Sequence, residues 1–161
     1  MSEVISLTEQ TQSAGASPRE IIECFIRATA DNAWDELADL YAPDVVIEIP
    51  FAPPGVPKRT EGREVLRERF KSVAGMRRFD KAELLALHET RDPEVVVAEW
   101  NVHGHVTETG RSFTFSYIMV VRVRDGQILS SRDYSNPIDG AEAFDRLPQL
   151  FQALTDQTPS N

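Results

Sequence analysis

The sequence predicts an α+β domain in which helices come first and pack on one face of a curved antiparallel sheet. Three observations carry that expectation. Apolar residues from Ile21 to Phe70 recur mostly at helical spacing, and from Phe79 onward the period changes to two. The stretch Ser112–Pro137, SFTFSYIMVVRVRDGQILSSRDYSNP, reads as two long strands joined by a tight Asp125-Gly126 turn.

Element by element, Ser17-Pro18-Arg19-Glu20 is a helix start, with Ser as N-cap, Pro at the first helical position and Glu at the third. Ile21, Ile22, Phe25, Ile26 and Thr29 follow on one face, and Asp31-Asn32 ends the helix. Trp34, Leu37, Ala38 and Tyr41 mark a second, shorter helix that stops at Pro43-Asp44. Val45–Ile49 is a β-branched strand. The loop after it holds Pro50, Pro53, Pro54 and Pro57 and cannot be a central strand. A third helix opens at Gly62-Arg63-Glu64 and runs to about Val73, with Val65, Leu66, Arg69, Phe70 and Val73 as its stripe. Leu84, Leu85 and Leu87 lie in one strand and Val95–Val106 in the next, separated by Asp92-Pro93-Glu94. Glu108-Thr109-Gly110 turns the chain into the Ser112 strand. Pro137–Leu150 is expected to add a short terminal helix.

At 161 residues the chain fits one domain, expected over 16–152, with residues 1–15 and 153–161 as flexible tails. A net charge of -9 argues against nucleic acid, which needs clustered Lys and Arg. The basic residues Arg63, Arg67, Arg69, Lys71, Arg77 and Arg78 are interleaved with Glu61, Glu64 and Glu68 and read as a solvated face. Cys24 is the single cysteine, so no intrachain disulfide can form and a reducing, cytoplasmic location fits. The N-terminus has neither the basic nor the apolar part of a signal peptide. No run approaches the ~18 apolar residues of a membrane span.

The candidate chemistry sits on the late strands. Phe113, Phe115, Tyr117, Met119, Val121 and Val123 share one face, while Ser112, Thr114, Ser116, Arg122 and Arg124 lie mostly on the other. After the turn, Leu129, Ser131, Asp133 and Ser135 share a face. A carboxylate against aromatic side chains has a raised pKa and becomes a usable proton carrier, so Asp133 is the candidate catalytic residue. The competing reading pairs it with Arg122 or Arg132, or has it cap the following turn. An apolar pocket is expected between Trp100, Tyr117, Met119 and Leu129, with Phe115 as wall or core and Ser131 beside Asp133. Arg69 reaches into it from the third helix, and Phe51 forms a lip or a plain surface connection. Tyr117 alone in its set carries a hydroxyl that needs a partner. Glu99, Asn101, His103 and His105 alternate with Val96, Ala98, Trp100 and Val102. The apolar set should face the core, so no metal site is assigned. A one-residue slip would invert that strand and make Glu99 and His103 the acid–base pair. No glycine-rich phosphate loop or hydrolase nucleophile motif is present.

Several pieces resemble the nuclear-transport-factor-2-like superfamily and its SnoaL-like and ketosteroid-isomerase-like members. They are Trp34 with Leu40-Tyr41-Ala42-Pro43-Asp44, Gly62-Arg63-Glu64, Val97-Ala98-Glu99-Trp100 and Arg124-Asp125-Gly126-Gln127-Ile128. The ending Arg132-Asp133-Tyr134-Ser135-Asn136-Pro137 looks most like the phenazine-biosynthesis A/B proteins. The resemblance implies a cone-shaped, cystatin-like fold, a homodimer, and a pocket for a small apolar or aromatic ligand with no cofactor. It implies an isomerase, a polyketide cyclase or dehydratase, or a non-catalytic binder of the same fold. The ketosteroid-isomerase base position falls at Ile49 and its two oxyanion donors at Phe25 and Met119, so that route is not expected here. Asp133 stands where the phenazine proteins place a Glu general acid, one methylene shorter, and Arg69 stands where they place a His.

Overall fold

The computed structural model describes residues 15–157. Ser17 caps helix α1 (Pro18–Ala30) through a reciprocal pair of bonds, Glu20 N–H to Ser17 Oγ at 3.3 Å and Ser17 N–H to Glu20 Oε2 at 2.7 Å. The buried stripe of α1 is Ile21, Ile22, Phe25, Ile26, Ala28 and Thr29. Helix α2 (Trp34–Asp39) follows and passes almost directly into β1 (Tyr41–Glu48).

Tyr41 therefore belongs to a strand, not to the second helix. The Ile128 N–H reaches Leu40 O at 2.8 Å, and Tyr41 pairs with Ile128 across the sheet. Pro43 is tolerated because pairing is interrupted between Tyr41 and Val46, where no ladder bond requires its missing N–H. The proline-rich loop leads to a short strand that the sequence reading lacks, β2 (Arg59–Glu61), antiparallel to β1. Helix α3 (Arg63–Ala74) buries only Leu66 fully and leaves Val65 exposed.

The meander is β3 (Arg77–Glu89), β4 (Val95–Val106), β5 (Ser112–Arg124) and β6 (Gln127–Ser135). Asp125 and Gly126 have φ of 51° and 71°, the left-handed pair of a two-residue hairpin turn. Strand order in the curved sheet is β2-β1-β6-β5-β4-β3. One expectation needs correcting: the sheet is mixed, because β1 runs parallel to β6. β2, α3 and strands β3 to β5 separate β1 from β6 in sequence, so β1 adds beside β6 by a pairing that no hairpin dictates.

The core lies between α1 and the inner face of the sheet, where Ile22, Val45, Val102, Met119, Val121 and Ile128 are almost fully covered. The single terminal helix expected over Pro137–Leu150 is two: α4 (Pro137–Ala143), capped by the Asn136 side chain, and α5 (Leu147–Asp156). Asp145, with φ of 53°, breaks them apart. The domain boundary expected at residue 152 falls inside α5. Residues 1–14 and 158–161 of the expected tails lie outside the described residues. Among those described, no helix is long and apolar enough to cross a membrane.

Candidate functional site

Alternation along three strands builds one cavity of about 730 Å³ between the inner sheet face and α1, α2 and α3. The burial of β4 alternates without a break and directs Ala98, Trp100 and Val102 inward. Trp100 stacks on Tyr117 of β5 with centroids 4.5 Å apart, and the Phe25 ring meets it edge-on at 5.3 Å. Met119 forms the adjoining wall. Pro53, Pro54 and Val56 of the proline loop and Phe144, Gln149 and Leu150 of the C-terminal helices border the cavity from outside the sheet.

Asp133 lines this cavity directly opposite Met119 in the β5–β6 register. Burial disfavours its charged form and pushes its pKa up to about 6, against the opposing pull of a hydrogen bond from Ser131 and the positive charge of Arg69. The Ser131 hydroxyl donates directly to Asp133 Oδ1. Tyr41 and Tyr117 also line the cavity. Burial raises both phenol pKa values, the Asp133 charge adding to each while Arg77 lowers that of Tyr117. Both remain protonated at neutral pH and are available as donors. The site thus combines one carboxylate of near-neutral pKa with two phenols in an apolar enclosure.

Residues 22–131 match the model of the SnoaL-like domain. The chain belongs to the SnoaL-like family. It is 39% identical over 131 residues to an uncharacterized PhzA/B-like protein of Pseudomonas aeruginosa, covering 78% of this chain and 89% of that one. To the uncharacterized protein YesE of Bacillus subtilis it is 38% identical over 113 residues, 70% of this chain and 75% of that one. A crystal structure from Bacillus subtilis described as a candidate isomerase superposes with a TM-score of 0.75 at 32% identity, covering 80% of this chain and 92% of the other.

In this SnoaL-like domain the residues singled out in the sequence divide into three groups. Trp100, Tyr117, Met119, Arg69 and Asp133 line one cavity, and Ser131 stands behind Asp133 as its donor. Leu129 does not line it. The β5–β6 register jumps from Arg122↔Ser130 to Val123↔Ile128, so a bulge at Leu129 hands the inward position to Ile128. Phe115 is buried but belongs to the core, stacked on Phe113 at 4.3 Å. Phe51 is 62% exposed and packs edge-on against Tyr134 instead of forming a lip.

The polar face of β4 points away from the cavity. His103 is hydrogen-bonded to Thr114 and Glu83, both at 2.9 Å, and His105 to Asp80 at 3.0 Å. The inverted register that would pair Glu99 with His103 in the pocket is not adopted. Among the described residues no group of three or more His, Cys, Asp or Glu could hold a metal. Nor do the neighbouring arginines engage Asp133: Arg122 pairs with Glu94 and Asp92, Arg132 with Glu48, and Asn136 caps the turn. Among the cavity residues that the sequence reading missed are Tyr41, Thr29, Arg77 and Arg146. Tyr41 was hidden by its helical spacing to Trp34 and Leu37. Arg77 was absorbed into the basic run, although it is the first residue of β3.

Proposed function

We propose that this protein is a cofactor-independent acid–base enzyme that isomerises, cyclises or dehydrates a small hydrophobic metabolite, with Asp133 as the proton carrier. The observation that carries this reading is the raised Asp133 pKa, about 6, within an aromatic-walled cavity. A carboxylate of that pKa is mostly ionised at neutral pH, yet basic enough to accept a proton and return it. It takes a proton from carbon next to a carbonyl. The neutral hydroxyls of Tyr41 and Tyr117 supply hydrogen bonds where negative charge develops on oxygen, and Asp133 delivers the proton to a second position. Ser131 holds the carboxylate in one orientation throughout. The reading includes a homodimer formed through the outer sheet face and a cytoplasmic location. Ile118, Phe51 and Tyr134 give that outer face an apolar patch.

A second reading, a non-catalytic binding or accessory protein, is favoured by one observation. Ser131 is the hydrogen-bond partner of Asp133 among the described residues, and no second acid or base stands within bonding reach. The two readings separate on proton exchange. Incubated in D₂O with β-tetralone, the native protein is expected to exchange the protons next to the carbonyl faster than buffer, and Asp133→Asn to fall back to the buffer rate. Exchange at the buffer rate by the native protein supports the binding reading.

A further inference from the structure

The charges in the cavity do not balance. Three arginines line it, Arg69, Arg77 and Arg146, against the single carboxylate of Asp133. Elsewhere arginines are matched by acids: Arg67 bridges Asp35, Asp39 and Glu64, while Arg122 and Arg124 share Glu94. Among the described residues, none of the three cavity arginines has a carboxylate oxygen within 4.0 Å. Arg69 Nη1 reaches only the Thr60 hydroxyl, at 3.3 Å. Arg77 lies over the Phe79 ring at 5.2 Å, and its buried Nε has no hydrogen-bond partner. In a protein carrying -9 overall, a cationic interior runs against the global charge.

Two further buried donors share this cavity and also lack partners: Trp100 Nε1, in a residue 6% exposed, and Thr29 Oγ1, in one 2% exposed. Unpaired buried polar groups are costly, so a native fold keeps them chiefly where something else completes them. Elements far apart in sequence bring them into one cavity. Phe25 touches Trp100, Thr29 lies one helical turn beyond Phe25, and Tyr117, which stacks on Trp100, feels the charge of Arg77. An oxygen-bearing anionic ligand suits such a cavity, since each of the three offers an N–H or O–H to an acceptor.

We propose that the ligand is an aromatic acid whose carboxylate is received by Arg77, with Trp100 and Thr29 as further donors to oxygen atoms of the ligand within the same cavity. This deepens the reading of the cavity as a small-molecule site and names its ligand class, but it does not depend on Asp133 transferring a proton. Arg77 is then the specificity-determining residue. It selects acids over their neutral analogues, while the ring system lies along Trp100 and Tyr117.

Naphthalene-2-carboxylate and its neutral amide, titrated calorimetrically against the native protein at pH 7.5 and low salt, provide the test. The acid is expected to bind at least about tenfold tighter than the amide. Arg77→Met abolishes that preference, and Trp100→Phe weakens acid binding while keeping the ring stack. Equal binding of acid and amide by the native protein overturns the proposal. So does a preference that survives in Arg77→Met, or one that disappears in Arg69→Met instead. If Arg77→Met does not fold, the native comparison and Trp100→Phe decide the matter alone. Should the acid preference stand while β-tetralone exchange fails, the ligand class holds and only the proton-transfer reading falls.

Discussion

Asp133 is destabilising when ionised, and this gives it a signature in stability as well as in reactivity. Its folded pKa of about 6 lies above the usual carboxylate value of 3.8, so the native state binds its proton more tightly than the unfolded chain does. Its contribution is therefore fully present below pH 4, is lost as pH rises from about 4 to 6, and is absent above that. Asp133→Asn is expected to be more stable than the native protein at pH 7.5, by on the order of 1–2 kcal/mol once partial exposure to the cavity is allowed for. Below pH 4 the two should be nearly equal, and urea unfolding at both pH values measures the difference. The Ser131 hydroxyl works in the opposite direction by stabilising the carboxylate. Ser131→Ala should raise the Asp133 midpoint by up to about one pH unit, the equivalent of a hydrogen bond to a charged group. A midpoint that falls in Ser131→Ala would show that this bond favours the protonated form.

The strands that make hairpins were legible because turn chemistry and period-2 burial agree. Asp125-Gly126 marks one hairpin, and the alternation of Val96, Ala98, Trp100 and Val102 favours the face of β4 that lies inside, although only the paired register excludes a one-residue slip. Elements without a local partner were not legible. β1 pairs in parallel with a strand some 80 residues later, β2 has three residues, and both depend on contacts that no neighbouring sequence announces. Leu129 failed for a related reason: a bulge shifts the face by one residue, and period-2 counting has no means to register it. Arg69 was expected in the pocket, but Arg77 and Arg146 escaped notice because sequence shows charge but not the absence of a partner. Gly104 offers a test at this scale. It sits on the inner face of β4 opposite Phe113, and a Cβ there would meet the Arg78 carbonyl oxygen at 2.3 Å and Phe113 Cζ at 2.8 Å. Backbone cannot yield as a side-chain tip can. Gly104→Ala is expected to lower stability by about 1–3 kcal/mol, read as a fall in Tm by differential scanning calorimetry. An unchanged Tm would mean that β3 and β4 separate more readily than their register implies.

At the scale of the whole molecule, one curved sheet divides two kinds of surface. Its inner face encloses an apolar cavity with a carboxylate and surplus cations. Its outer face carries the bonded pairs His103–Glu83 and His105–Asp80 beside the apolar Ile118. An outer face of this composition suits a second copy of the chain. Sedimentation at micromolar concentration is expected to give a species of twice 18.1 kDa, and Ile118→Asp to shift it toward the monomer. A single species of 18.1 kDa in the native protein would exclude the dimer. The inner face carries the central claim, that the fold holds Asp133 as a proton carrier near neutrality. Titrating the Asp133 carboxyl carbon by NMR in the folded protein tests that claim most directly. The account predicts a midpoint near 6. A midpoint below about 3.9, the value of an unperturbed aspartate, would contradict it and leave Asp133 as a fixed negative charge in the cavity.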